Sequence, residues 1–226
     1  METIILLSEK KWHKDLFLQL KITFPNYNWI HIDNKIDFNS KQLEFYKPIK
    51  IFIPHWSYII PHEIFINYEC IVFHMTDLPY GRGGSPLQNL IVRGHKETKI
   101  SALKVEDGID TGFIYLKKTL QLNGTAHEIL LRSSAIIEEM IFEILNDDLK
   151  PVPQVGIVEI FKRRKPEESN IAHLENLEQV YDYIRMLDGE GYPNAFLEFG
   201  KFKIEFSNAI HNSEHEILAN VRIIKK

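Results

Sequence analysis

Short runs with no polar residue constrain this chain more than any other feature. Ile4-Ile5-Leu6-Leu7, Ile51-Phe52-Ile53 and Cys70-Ile71-Val72-Phe73 are wholly apolar. Such a run is too brief for a helical core and lacks the polar alternation of a half-wet strand, so it predicts a strand covered on both faces. Covered strands are typically parallel, and parallel neighbours need crossover connections. Helical patterns fill the gaps. Ser8 is a candidate cap for a helix with Trp12, Leu16 and Leu20 on one face, ended by Pro25. Residues 29–32 predict a second strand and residues 39–47 a short helix. Ile49 starts the strand that closes at Pro54. The first 65 residues thus predict a doubly wound unit.

Residues 74–84 lack periodicity and predict a loop. Ser85-Pro86-Leu87-Gln88 has the form of a capping box with proline at the first helical position. Residues 99–105 and 113–116 predict strands around a loop at 106–112. Thr125-Ala126-His127-Glu128 is a second capping box, opening a helix with Leu130, Ile137, Ile141 and Ile144 on one face. Pro151 and Pro153 suggest a division into a domain at 1–150 and a small subdomain at 151–226. In the tail, residues 176–187 predict a helix with Val180, Ile184 and Leu187 inward. An alternating strand pair around Gly200 sets Phe202, Ile204 and Phe206 against Lys201, Lys203 and Glu205. That apolar stripe is either subdomain core or the face of a homodimer. The expected fold is α/β: a Rossmann-like, mostly parallel sheet with flanking helices plus a small C-terminal α+β subdomain.

Composition narrows the function. The chain has 226 residues, 44% hydrophobic and 26% charged, with net charge −4. That charge argues against a nucleic-acid binder working by bulk attraction and leaves a local basic patch open. The single cysteine, Cys70, excludes a disulfide framework and a cysteine-rich zinc site, and fits the cytoplasm. No apolar run reaches membrane-span length, so no membrane partner is expected. The residues after the Cys70 strand do not follow the dinucleotide G-x-G-x-x-G spacing. No Walker lysine or His-Glu-x-x-His occurs, and no metal is expected. Gly83 and Gly84, ahead of the Ser85 helix, either present N–H groups to an anion or simply form a tight loop.

Two histidines follow apolar strands: His55 after residues 51–53 and His74 after residues 71–73. In an open parallel sheet the ligand crevice lies outside the carboxyl ends of the strands, which places both at one edge. A histidine there can move protons near neutral pH, and an aspartate such as Asp110 can hold its tautomer. The alternative is a hydrogen-bonded structural histidine and an Asx turn.

Residues 70–88 read CIVFHMTDLPYGRGGSPLQ. This resembles the signature of folate-dependent formyltransferases: a strand ending in Asn-x-His, then Ser-Leu-Leu-Pro, then an Arg-Gly turn. Downstream, Glu97-Thr98 and Asp107-Gly108-Ile109-Asp110-Thr111-Gly112 resemble two further family segments, in the same order. Residues 161–169 and 184–196 are similar to the region after the core in sugar N-formyltransferases. His55-Trp56-Ser57 and the His74 loop are similar to a branch associated with pseudaminic-acid-type surface sugars. The resemblance implies an N-formyltransferase using 10-formyltetrahydrofolate on the primary amine of a nucleotide-linked amino sugar, with no nucleic acid as partner. A methionyl-tRNA or glycinamide-ribonucleotide enzyme, or a folate- or nucleotide-binding module without turnover, is the alternative.

The resemblance implies roles as well. His74 is the base and proton shuttle, and Asp110 balances its charge. Ile60, Val105, Asp107 and Gly108 line the folate site, and Trp56 either lines it with them or is a core aromatic at a strand end. Thr76, Gly83 and Gly84 meet the substrate, and Arg82 either pairs with a phosphate or carboxylate there or is a surface charge in a loop. The family's third catalytic residue, an asparagine two before the histidine, is Val72 here. His55, Thr76 and Ser101 are candidate replacements. The basic run Lys162-Arg163-Arg164-Lys165 either meets a diphosphate or is a solvated face, since Glu167 and Glu168 follow it.

Overall fold

The computed structural model describes residues 1–147 and 149–226. In chain order, β1 (Thr3–Leu7), α1 (His13–Thr23), β2 (Asn28–Ile32), α2 (Ser40–Tyr46), β3 (Pro48–Pro54), α3 (His62–Phe65) and β4 (Cys70–His74) come first. Then come β5 (Arg82–Gly83), α4 (Pro86–Val92), β6 (Glu97–Lys104), β7 (Ile114–Gln121) and α5 (Ala126–Asn146). The tail holds β8 (Ile160–Phe161), α6 (Leu177–Arg185), β9 (Ala195–Phe199), β10 (Phe202–Ser213) and β11 (Glu216–Lys225). Two compact units result. One comprises Met1–Gly83, Lys99–Leu120 and Leu131–Ile160; the other comprises Gly84–Thr98, Gln121–Leu130 and Phe161–Lys226.

The first unit is built on a six-stranded sheet of order β2-β1-β3-β4-β6-β7. The expected mostly parallel α/β sheet is present: β1 pairs in parallel with β2 and β3, and β3 with β4. Every residue of β1 is buried, as its unbroken apolar run demands. Ile53 lies opposite Val72 and Pro54 opposite Phe73, so His55 and His74 leave the sheet at the same carboxyl edge. β6 departs from the parallel pattern. It runs antiparallel to β4, with Ser101 opposite His74 and Lys104 opposite Ile71. The chain re-enters the sheet at the edge it left, so no crossover is needed.

Three helices open on side-chain caps, and two expected caps do not form. Asn39 and Asn176 cap α2 and α6 by accepting from the N–H groups of Gln42 and Gln179. The Thr125–Glu128 box forms, each side chain accepting from the other's backbone N–H. Ser8 does not cap α1. Its hydroxyl is 2.6 Å from His13 Nδ1 and accepts from the Lys10 N–H. Ser85 does not cap α4 either, because it sits at φ +49° with its hydroxyl accepting from the Arg164 N–H. Pro86 still starts that helix.

The second unit carries a three-stranded antiparallel sheet of order β11-β10-β9, with β11 not expected from the sequence. Its core is tied by the buried Arg185, which donates to Asp182 Oδ1 at 2.7 Å and to the Leu122 and Gly124 carbonyls at 2.6 and 2.9 Å. Among the described residues no helix is long and apolar enough to cross a membrane.

Candidate active site

His74 ends β4, and its side chain is 8% exposed. Its Nε2 is 2.8 Å from the Gly81 carbonyl oxygen. A carbonyl only accepts, so Nε2 carries the hydrogen. The other ring nitrogen, Nδ1, is 3.4 Å from Asp110 Oδ2. Asp110 Oδ2 also accepts from the Gly83 N–H at 2.8 Å. The imidazole thus sits between a carbonyl and a carboxylate, a setting in which an added proton is electrostatically balanced.

Strand direction alone does not deliver Asp110 to this place. Because β6 runs antiparallel, the loop after it starts beside the beginning of β4, where the Val105 N–H donates to the Cys70 carbonyl at 2.8 Å. The loop then turns back toward His74. Asp110 holds a left-handed backbone at φ +54°, a region that aspartate tolerates better than most residues. Gly112 is obligatory, since a Cβ there would lie 1.8 Å from the Lys104 carbonyl oxygen.

The residues expected at the folate site gather in two adjacent loops. Ile60 is buried in the cluster formed by Ile5, Leu7 and Ile53, and Trp56 and Val105 pack on it partly buried. Asp107 is exposed and 3.9 Å from His62 Nε2, so the loop after β3 meets the loop after β6. Gly108 takes φ +97° beside Thr111, whose hydroxyl donates to the Asp107 carbonyl at 2.6 Å. Ile59 and Ile109, on these same loops, stand 83% and 63% exposed. Among the described residues no cluster of three or more His, Cys, Asp or Glu is arranged to hold a metal ion.

Of the expected substrate residues, the structure brings three to the His74 loop. Thr76 donates to the Gly81 carbonyl at 3.3 Å, and Gly83 binds Asp110. Arg82 donates through Nε and Nη2 to Gln154 Oε1 at 3.2 and 2.8 Å. Gly84 belongs to the second unit, where a Cβ would lie 2.6 Å from Arg163 Cβ. Gln154 had no motif to mark it. It is a polar residue in the stretch Pro151-Val152-Pro153-Gln154, which in sequence has the form of a linker.

The three candidates to replace the missing asparagine are all engaged. Ser101 donates to the Thr76 carbonyl at 2.7 Å and accepts from the Leu78 N–H. Thr76 is bound to Gly81. His55 has Nδ1 3.2 Å from His13 Nε2, and Nε2 3.2 Å from Met75 Sδ and 3.3 Å from Ser133 Oγ. Val72 itself packs against Leu78, Leu103 and Ile114. Burial lowers the His13 pKa to about 2 and the His55 pKa to about 4, with nearby His55, His31 and Lys10 adding to the effect on His13, and Lys10 to that on His55. Both rings are therefore neutral at physiological pH. Beside them the Trp12 Nε1 is buried without a hydrogen-bond partner among the described residues.

Residues 166–224 match the family model described as methionyl-tRNA formyltransferase, C-terminal domain. Methionyl-tRNA formyltransferase from Carboxydothermus hydrogenoformans is 27% identical over 82% of this chain and 64% of that protein. The chain thus spans less than two-thirds of that curated relative. A solved structure titled methionyl-tRNA formyltransferase from Clostridium thermocellum is 50% identical, covers all of both chains and superposes with a TM-score of 0.97. HypX from Aquifex aeolicus in complex with tetrahydrofolic acid superposes at 0.73 with 19% identity, over 91% of this chain and 37% of that one, and shares the fold. The chain belongs to the formyltransferase family, in the group whose members are named methionyl-tRNA formyltransferases. The formyl donor of this family is 10-formyltetrahydrofolate.

These relatives overturn the expectation of a sugar N-formyltransferase of the pseudaminic-acid branch. They also overturn the nucleotide-linked amino sugar as partner and the exclusion of nucleic acid. The residues used to choose the sugar branch lie in the core and the segment just after it, where fold and donor chemistry are shared, so they could not separate acceptors. A net charge of −4 averages over the chain and does not by itself exclude a nucleic-acid partner; Lys162, Arg163 and Lys165 form a local exposed run.

Proposed function

We propose that this chain transfers a formyl group from 10-formyltetrahydrofolate to the amino group of methionyl-tRNA. The observation that carries the proposal is the His74–Asp110 pair at 3.4 Å, in a chain half-identical over its full length to the Clostridium thermocellum protein. When bound, the folate supplies the formyl carbon and the nitrogen that leaves. The loops holding Trp56, Ile60, Val105, Asp107 and Gly108 would bind its ring.

His74 does the proton work. The attacking amine must lose a proton as it bonds to the formyl carbon; the imidazole accepts it while Asp110 offsets the new charge, and would return it to the folate nitrogen as that bond breaks. To reach the amine, Nε2 leaves the Gly81 carbonyl and the ring takes the tautomer with its hydrogen on Nδ1, facing Asp110 Oδ2, which frees the Nε2 lone pair for the substrate's proton. Gly83 keeps the carboxylate oriented through its N–H. With Val72 in the amide position, and with Thr76, Ser101 and His55 engaged, the charged imidazole is the donor nearest the reaction. The cytoplasm, where methionyl-tRNA is found, is the proposed location, in keeping with a single buried free thiol.

The test is formation of formyl-methionyl-tRNA by the purified chain given 10-formyltetrahydrofolate and methionyl-tRNA. Product that disappears in His74→Ala supports the proposal. Tetrahydrofolate binding with no transfer to methionyl-tRNA overturns it in favour of the binding module that Val72 would suit.

A further inference from the structure

We propose that Gln154 is a positioning residue that sets the place of Asp110 against His74. This rests on the reading of His74 and Asp110 as the proton-handling pair. Gln154 spends both ends of its amide. Oε1 accepts from Arg82 Nε and Nη2 at 3.2 and 2.8 Å. Nε2 donates to the Asp110 and Gly112 carbonyls, each at 2.8 Å. One side chain therefore grips the Asp110 loop by two carbonyls and ties it to the residue next to Gly83, which itself binds the Asp110 carboxylate.

The loop needs such a grip. Asp110 holds a left-handed backbone, and small changes in its φ and ψ would swing the carboxylate away from a ring nitrogen already 3.4 Å distant. The Gly83 N–H fixes the carboxylate tip, and Gln154 fixes the backbone from which it projects. Gln154 is itself held on both sides. Two residues earlier, Val152 forms a reciprocal backbone bridge with Ile114 at 2.8 and 2.9 Å. Five residues later, the Glu159 carbonyl accepts from the Gly81 and Arg82 N–H groups, both at 3.0 Å. The segment is thus a strap stitched to β7 at one end and to the His74 loop at the other. A glutamine suits its middle because it both accepts from a guanidinium and donates to two carbonyls, which no carboxylate can do.

The experiment uses the full chain with Gln154→Glu and Gln154→Met. Glutamate keeps the Arg82 contact but turns an acceptor toward two carbonyls. Methionine keeps the volume and removes both ends. In each, kcat for methionyl-tRNA formylation should fall about 10- to 100-fold, the usual range for loss of a partner that orients a functional group. KM should stay within a few-fold. The His74 ring nitrogen resonances, identified by their loss in His74→Gln, should shift, while those of His13 and His55 stay in place. Unchanged kcat and unchanged His74 resonances in both variants would overturn the proposal. So would a rise in KM that accounts for the whole loss. The resonances need no acceptor. If the unmutated chain fails to formylate methionyl-tRNA yet the His74 signals move in both variants, the functional reading falls and the positioning role stands.

Discussion

Two of the histidine groups in the first unit have contrasting neighbours. His74 lies between the Gly81 carbonyl and the Asp110 carboxylate. His13 and His55 stack with ring centroids 5.1 Å apart, ringed by Ser8, Ser133, Met75 and Trp12, with no carboxylate among these contacts. His55 and His74 leave adjacent parallel strands at the same edge. Strand position therefore does not decide which of them handles protons. The two settings differ in an anion: His74 faces a carboxylate, and the other two rings are held neutral by burial.

The strongest way to break this contrast is His74→Ala. Loss of a positioned acid–base group typically costs about 10²- to 10⁴-fold. The variant should show that loss in formyl transfer with its thermal melt near that of the parent chain. Turnover close to normal would make the two groups equivalent and remove the reason for distinguishing them.

The neutral pair is tested by acid. The folded values of about 2 and about 4 lie below the ordinary 6.5, so the unfolded chain takes up protons first as pH falls. Stability is unaffected by these groups above pH 6.5 and declines as pH drops toward the folded values. The slope is about 1.4 kcal/mol per pH unit for each histidine. In His55→Asn, which suits the local φ of +49°, the decline between pH 6 and 5 should be about half as steep. Urea unfolding at the two pH values checks this, and an unaltered slope would show that His55 is not held neutral.

Val72→Asn sharpens the comparison from the other side. It restores the family's amide beside His74 but places it against Leu78, Leu103 and Ile114. The variant should be destabilised by roughly 1–3 kcal/mol, the cost of an amide buried without a designed partner, and should not gain turnover. A gain would mean that the site still accommodates the family donor. The smallest effect belongs to Ser101→Ala. It removes the bond to the Thr76 carbonyl and should lower unfolding free energy by about 1 kcal/mol while leaving KM unchanged.

Much of this fold is legible along the chain. The unbroken runs at Ile4, Ile51 and Cys70 placed three central strands, since a segment with no polar residue has nowhere to go but between two layers. The Thr125–Glu128 box opened α5 as expected, because its chemistry is confined to four consecutive residues. Ser8 and Ser85 failed as caps. Ser8 turned to the His13 ring and the Lys10 N–H, and Ser85 to the distant Arg164 N–H, neither of them the N–H that the capping spacing calls for. The direction of β6 was missed because apolar content reports burial and not orientation.

The sequence by itself determined the layered α/β fold, the strand-end position of His74 and the donor chemistry implied by its motifs. These rest on contiguous residues whose side chains dictate local conformation and burial. Only the tertiary structure decided that Asp110 comes back from an antiparallel strand to face that ring, that His55 is held neutral by burial beside His13, and that Gln154 holds the loop by two carbonyls. Each of these is a meeting of groups far apart in the chain, set by loop path and register, and pairwise electrostatics acts only once the distance is short.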